Sequence, residues 1–257
     1  MQSYAQIFGL IGDNLKNTFS KDYFNHKFEA NNLHYHYQNF ELKNVNEFLP
    51  LIIQNEKIGG LNVTIPFKQS IIPFLDKLDT TALEVGAVNC VKINRDNDKI
   101  SLKGYNTDVL GFKQSLLNFI PINFDGKAII LGTGGVSKAV QYIFRQLAIE
   151  FISVTSQTSK IGEGTIGYGE LQEMDINKFT LVVNATPLGM FPKVLEFPLF
   201  PYGKLTPNHF CYDLIYLPTE SQFLTKSKAM KANIKNGMEM LYSQADYAFN
   251  IFTEQLE

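Results

Sequence analysis

The sequence predicts an α/β fold built as two units, and three observations carry that expectation. Strand-like and helix-like stretches alternate almost from end to end, with short connections between them. The pattern breaks near residues 108–125, around Pro121, and then restarts with a new strand and a glycine cluster. The 257 residues are 45% apolar and 19% charged, the balance of a packed chain, and suffice for one large or two modest domains.

In order, Gln6 to Ile11 reads as a buried strand ended by Gly12, and Phe19 to Ala30 as a helix with Ser20 as its N-cap. Tyr35 to Phe40 alternates as a strand. Val45 to Gln54 reads as a helix, Ile58 to Thr64 as a strand stopped by Pro66, and Lys68 to Leu78 as helical again. Val88 to Asn94 and Lys99 to Tyr105 flank the turn-forming Arg95-Asp96-Asn97-Asp98 and are expected to pair. Such alternation predicts a mostly parallel sheet covered on both faces. Val109 to Phe119 is a helix before the break. Beyond it come a strand at Lys127 to Leu131, a helix from Val136 to about Leu147, and strands at Phe151–Thr155, Leu181–Asn184 and Phe210–Leu214. The closing helix, Met238 to Gln255, sets Met238, Leu241, Ala245, Ala248, Phe249 and Phe252 at helical spacing.

Several functions are disfavoured at once. Net charge is −2, and only two arginines, Arg95 and Arg145, stand among the 23 basic residues, so no basic stripe for nucleic acid or an anionic membrane is supplied. The N-terminus lacks a basic, then apolar, leader, and no apolar run approaches the ~20 residues of a membrane helix. Cys90 and Cys211 make neither a disulfide framework nor a zinc pattern, and His26, His34, His36 and His209 have no ligand spacing. The expectation is a soluble, cytoplasmic protein without a metal.

Ala128 to Leu131 followed by Gly132-Thr133-Gly134-Gly135-Val136-Ser137 reads as strand, tight turn and helix start. Glycines there let the backbone approach a pyrophosphate, and the helix start offers free N–H groups and the positive dipole end. A plain structural turn is the alternative. The next strand ends in Ser156-Gln157-Thr158-Ser159-Lys160, without the acidic residue that would hold an NAD ribose; hydroxyls, an amide and a lysine lean toward NADP, unless this is only a polar turn. Asn62 and Thr64 share parity at a strand end, with Lys68 just beyond, suiting a hydroxyl-rich ligand; a solvated lysine is the bland reading. Asp108, after Gly104-Tyr-Asn106-Thr107, is either a helix N-cap or the carboxylate partner of an acid–base pair, and Asn89 either a site amide or a polar turn residue.

Taken together these segments resemble the shikimate dehydrogenase family. Gly60-Leu-Asn-Val-Thr-Ile-Pro-Phe-Lys68 resembles its G-x-N-V-T-x-P-x-K signature, Gly86-Ala-Val-Asn89 its G-A-V-N, and Gly104-Tyr-Asn-Thr-Asp108 its G-x-N-T-D. Gly132 to Gly135 matches the cofactor loop and Asn184-Ala-Thr-Pro-Leu-Gly-Met190 the N-A-T-P-x-G-M segment. Asp213-Leu-Ile-Tyr216-Leu-Pro218 resembles D-x-x-Y-x-P, and Gly237 to Ala245 the C-terminal G-x-x-M-L-x-x-Q-A.

The resemblance implies an N-terminal α/β substrate domain (residues 1–108, with a helix from residues 238–257 returning to it) and a Rossmann-like dinucleotide-binding domain (residues 109–237). It implies NADP-dependent reversible reduction of 3-dehydroshikimate to shikimate, with a small-molecule partner only, in a monomer or homodimer. Lys68 and Asp108 would be catalytic. Thr18, Ser20, Asn62, Thr64, Asn89, Tyr216 and Gln244 would bind substrate. Gly132, Thr133, Gly134, Gly135, Val136, Ser156, Gln157, Thr158, Lys160, Thr186, Leu214 and Gly237 would bind the cofactor.

Three positions depart from the family pattern. Asn17-Thr18-Phe19-Ser20 replaces H-S-x-S, so Thr18 adds a methyl group where the substrate carboxylate would lie. Gln157 stands where an arginine usually meets the 2′-phosphate, which should weaken NADP preference. Ser221 stands where the D-x-x-Y-x-P segment continues to a threonine. The first two motivate an alternative, a quinate/shikimate dehydrogenase preferring NAD. Another is a ligand-sensing paralogue without turnover, against which retention of both Lys68 and Asp108 counts.

Overall fold

The computed structural model describes residues 4–15, 19–96 and 99–254. In chain order they form β1 (Gln6–Gly12), α1 (Phe19–Ala30), β2 (Tyr35–Glu41), α2 (Phe48–Gln54), β3 (Ile58–Val63), β4 (Lys77–Leu78), α3 (Thr80–Val85), β5 (Cys90–Asp96), β6 (Lys99–Tyr105) and α4 (Thr107–Leu117). There follow β7 (Ala128–Leu131), α5 (Gly135–Gln146), β8 (Phe151–Thr155), β9 (Thr165–Gly167), α6 (Tyr168–Glu173), β10 (Leu181–Asn184), β11 (Phe210–Asp213), α7 (Gln222–Ala229), β12 (Asn233–Lys235) and α8 (Met238–Phe252). Two compact units result, Met1–Thr107 with Gln244–Glu257, and Asp108–Ser243.

In the first unit the strand order is β2-β1-β3-β5-β6-β4. Strand β1 runs parallel to β2 and β3, whereas β5 is antiparallel to both β3 and β6. The sheet is therefore mixed, with three of its five pairings parallel, β4 with β6 being the third. Gly86, at φ +66°, ends α3 in the left-handed region, and the chain then enters β5, which pairs antiparallel with β3 and β6. One face packs Phe48, Ile52, Leu61, Val63, Ile71 and Val91. The other packs Phe8, Phe24, Phe28 and Tyr37 against Ala245, Ala248, Phe249 and Phe252 of α8. Gly60 is required under that helix, because a Cβ there would lie 2.6 Å from the Phe252 ring.

Three local expectations are corrected. Lys68 to Leu78 is not a helix: Pro73 sits in a short 3-10 turn at Ile72–Phe74, and Leu75 is extended. Lys77 and Leu78 then pair with Lys103 and Gly104 as β4, an edge strand. Val45 to Gln54 divides into a 3-10 turn, opened by the Asn44 side chain accepting from the Asn46 N–H, and α2. Ser20 is the second residue of α1 rather than its N-cap, since the helix starts at Phe19.

The second unit holds a sheet in the order β12-β11-β10-β7-β8-β9, parallel throughout. The chain builds outward from β7 to one edge, then returns to β10 and builds to the other. The carboxyl ends of β7 and β10 thus flank the point where strand order reverses, the place at which such sheets receive ligands. Strands β7 and β10 are buried along their whole length.

Candidate active site

In the first unit the polar side chains at the end of β3 are joined rather than solvated. Asn62 is buried; its Oδ1 accepts from the Tyr37 hydroxyl at 2.8 Å, and its Nδ2 donates to the Asn89 carbonyl at 3.3 Å. Asn89 is buried too. Its Oδ1 accepts from the Thr107 N–H at 2.7 Å and its Nδ2 donates to Thr107 Oγ1 at 3.0 Å, so this amide organises the start of α4 and is not a solvated turn residue. Thr107 Oγ1 lies 3.4 Å from Gln244 Oε1 on α8. The Ser20 hydroxyl hydrogen-bonds the Tyr37 phenol, whose ring stacks on Phe24 with centroids 4.5 Å apart. Burial pushes the Tyr37 phenol well above its ordinary value, so it serves as a neutral donor.

One polar chain therefore links Ser20, Tyr37, Asn62, Asn89, Thr107 and Gln244, drawn from residues far apart in sequence. Thr64 stands one residue past β3, half-buried, its N–H donating to the Ile11 carbonyl at 2.9 Å. Lys68 is half-buried, and its carbonyl accepts from the Val88 N–H at 2.7 Å, which fixes its backbone beside the Gly86–Asn89 loop. Thr18 lies outside the described residues.

The second unit opens with Asp108, which falls in the first turn of α4, past the N-cap position, where a negative charge meets the positive helix end. The glycine turn fits a dinucleotide. Gly132 has φ +108°, and a Cβ on it would lie 3.0 Å from Thr186 Cγ2, so only glycine passes there. Gly134 and Gly135 are exposed and face open space, room for a phosphate to approach the backbone. Gly134 caps α5 without a side-chain bond, and Val136 and Thr133 stand half-buried around it.

Thr133 Oγ1 lies 3.3 Å from Thr155 Oγ1, which also accepts from the Gln157 N–H at 3.1 Å. Buried Thr155 thus ties the glycine turn to the exposed segment Ser156, Gln157, Thr158 and Lys160. Thr186 donates from its N–H and hydroxyl to Asn184 Oδ1, at 3.1 and 2.7 Å. Leu214 is followed by Ile215, whose carbonyl accepts from the Gly237 N–H at 3.0 Å. A Cβ on Gly237 would lie 2.2 Å from the Leu214 oxygen, so glycine is obligatory. Tyr216 follows, 37% exposed. Burial raises the Asp213 carboxyl to about 6, partly offset by hydrogen bonds from Ser221, Ile215 and Asn184.

Tyr37, Thr107, Thr155 and Asp213 were not singled out in the sequence as site residues. Tyr37 reads there as one more aromatic in an alternating strand, and nothing local distinguishes it from its core neighbours.

A model of the shikimate dehydrogenase substrate binding domain matches residues 10–91. The shikimate dehydrogenase (NADP(+)) of Carboxydothermus hydrogenoformans is 35% identical over 264 residues, covering 97% of this chain and 92% of that protein. The chain belongs to the shikimate dehydrogenase family. Within the family, the crystal structure of the Aquifex aeolicus shikimate dehydrogenase is similar at TM-score 0.83 and 32% identity, over 97% of this chain and 93% of that one. The quinate dehydrogenase of Corynebacterium glutamicum, in complex with NAD, is similar at TM-score 0.86 and 26% identity, over 98% and 95%.

Proposed function

We propose that this protein is an NADP-dependent shikimate dehydrogenase, interconverting 3-dehydroshikimate and shikimate in chorismate and aromatic amino acid biosynthesis. Family membership over nearly the whole chain supports the reading, with Lys68 and Asp108 both retained. The first unit is the substrate domain and the second the NADP domain, in a cytoplasmic monomer or homodimer whose partner is a small molecule.

The bound dinucleotide supplies hydride chemistry at its nicotinamide ring. The protein orients the alcohol carbon and moves the hydroxyl proton. Lys68 exchanges that proton, and Asp108 positions both the lysine and the hydroxyl by charge. Ser20, Asn62, Thr64, Asn89 and Gln244, with Thr18 and Tyr216, hold the polyol. The buried amides have their orientations fixed before substrate arrives, which lowers the ordering needed on binding. Gly132, Thr133, Gly134, Gly135 and Val136 hold the pyrophosphate, and Ser156, Gln157, Thr158 and Lys160 the 2′-phosphate end. Thr186, Leu214 and Gly237 hold the remainder of the dinucleotide.

Gln157 favours a second reading, an NAD-linked enzyme acting on quinate or shikimate. Comparing kcat/KM for both substrates with both cofactors separates the two. Shikimate with NADP as the best pair supports the first, and quinate with NAD as the best pair replaces it.

A further inference from the structure

Asp213 ends β11 directly opposite Asn184 at the end of β10, and both side chains are fully buried. Its Oδ1 accepts from Asn184 Nδ2 at 3.0 Å and from the Ile215 N–H at 3.0 Å, and its Oδ2 accepts from the Ser221 hydroxyl. An ionised carboxylate only accepts, and a backbone N–H only donates. The Asn184 amide is thereby oriented: its NH2 group faces Asp213, and its Oδ1 is left to accept from Thr186. Turned over, the amide would set its oxygen against the carboxylate and its NH2 against the Thr186 N–H.

Thr186 in turn packs against the Gly132 turn. On the opposite side Ile215, whose N–H donates to Asp213, accepts at its carbonyl from the Gly237 N–H, beside Leu214. One carboxylate thus governs three separate segments at the carboxyl end of the sheet.

We propose that Asp213 is a positioning residue for dinucleotide binding, acting through the Asn184 amide and the Ile215 N–H to set Thr186, Leu214 and Gly237 in the arrangement that receives the cofactor. The proposal rests on the dehydrogenase reading above. Its consequence is a loss of uniform binding: NADP affinity depends on Asp213, while turnover at saturating NADP does not.

The test measures NADP affinity by calorimetry on the full chain, for the parent, Asp213→Ala, Asp213→Asn and Ser115→Ala. Ser115 Oγ accepts from the buried Tyr212 hydroxyl at 2.8 Å, so its loss destabilises the same unit without touching the Asp213 bonds. Asp213→Ala is expected to weaken NADP about tenfold or more, the scale of one lost charge-assisted hydrogen bond, with kcat at saturating NADP near the parent value. Asp213→Asn keeps the accepting Oδ1 and should stay within about threefold of the parent. Ser115→Ala should lower Tm yet hold NADP affinity within about twofold.

Should Asp213→Ala not fold, Asn184→Ala removes the intermediary amide and carries the same expectation. A parent that binds NADP, beside a folded Asp213→Ala (or Asn184→Ala in its place) that binds it equally well, overturns this proposal alone. Ser115→Ala weakening NADP as much as Asp213→Ala also overturns it, since the loss then follows stability. A parent that binds no NADP overturns the NADP-dependent reading, and this proposal with it.

Discussion

Replacing Lys68 by alanine removes the proposed proton carrier but few packing contacts, because the side chain is only half-buried. A kcat loss of ~10²–10⁴-fold with an unchanged circular dichroism spectrum is expected, and near-parent turnover would remove Lys68 from the mechanism. Asp108→Asn should likewise lower kcat with little change in Tm; a variant that chiefly unfolds would make Asp108 a helix-start residue only. At Gln157, substitution by arginine should strengthen NADP binding by up to about 1.5–3 kcal/mol, read as a lower KM, and leave NAD nearly untouched. An unchanged NADP KM would mean this segment does not meet the 2′-phosphate. Asp213 gives a pH signature. Its carboxyl is raised in the folded chain from 3.8 to about 6, so the stability it contributes is present below pH ~4 and lost as pH rises through about 6. The parent should therefore lose Tm relative to Asp213→Asn between those limits; a constant difference contradicts the raised value. Lys68 and Asp108 stand out as candidates in the sequence because short ordered motifs carry them. Tyr37 does not, because its partner Asn62 stands 25 residues away; a motif does carry Asp213, but its bond to Asn184, 29 residues away, is invisible in sequence.

Among the elements, those with several regular turns or buried apolar runs were readable from period alone: α1, α5, α8, β3 and β7. Lys68 to Leu78 misled because its apolar residues sit at helical spacing although Pro73 holds only a 3-10 turn. Strands β4, β9 and β12 have two or three residues each, too short to show alternation, and exist only through pairing to β6, β8 and β11. The C-terminal helix provides an element-scale prediction. Phe252 is buried and stacks on Phe8 with ring centroids 4.7 Å apart, over a glycine that leaves it room. Phe252→Ala should destabilise the first unit by about 3–5 kcal/mol, read from the shift in urea midpoint. A shift under about 1 kcal/mol would mean α8 is dispensable to that core.

For the whole molecule, the break at Pro121 and the restart at the glycine cluster announced two α/β units. Strand direction within the first was less accessible, because an apolar pattern records which face of β5 is buried and not the direction in which it pairs with β3 and β6. The second unit followed more directly from sequence, since consecutive β–α steps leave a parallel sheet with its glycine turn at the point where strand order reverses. The proposed activity needs substrate and dinucleotide together. It is tested most directly by mixing the purified chain with shikimate and NADP, then with NAD, and following the absorbance of the reduced nicotinamide. Shikimate-dependent growth of that absorbance, faster with NADP and abolished in Lys68→Ala, is the expected result; no growth with either cofactor, from a folded chain, would contradict it.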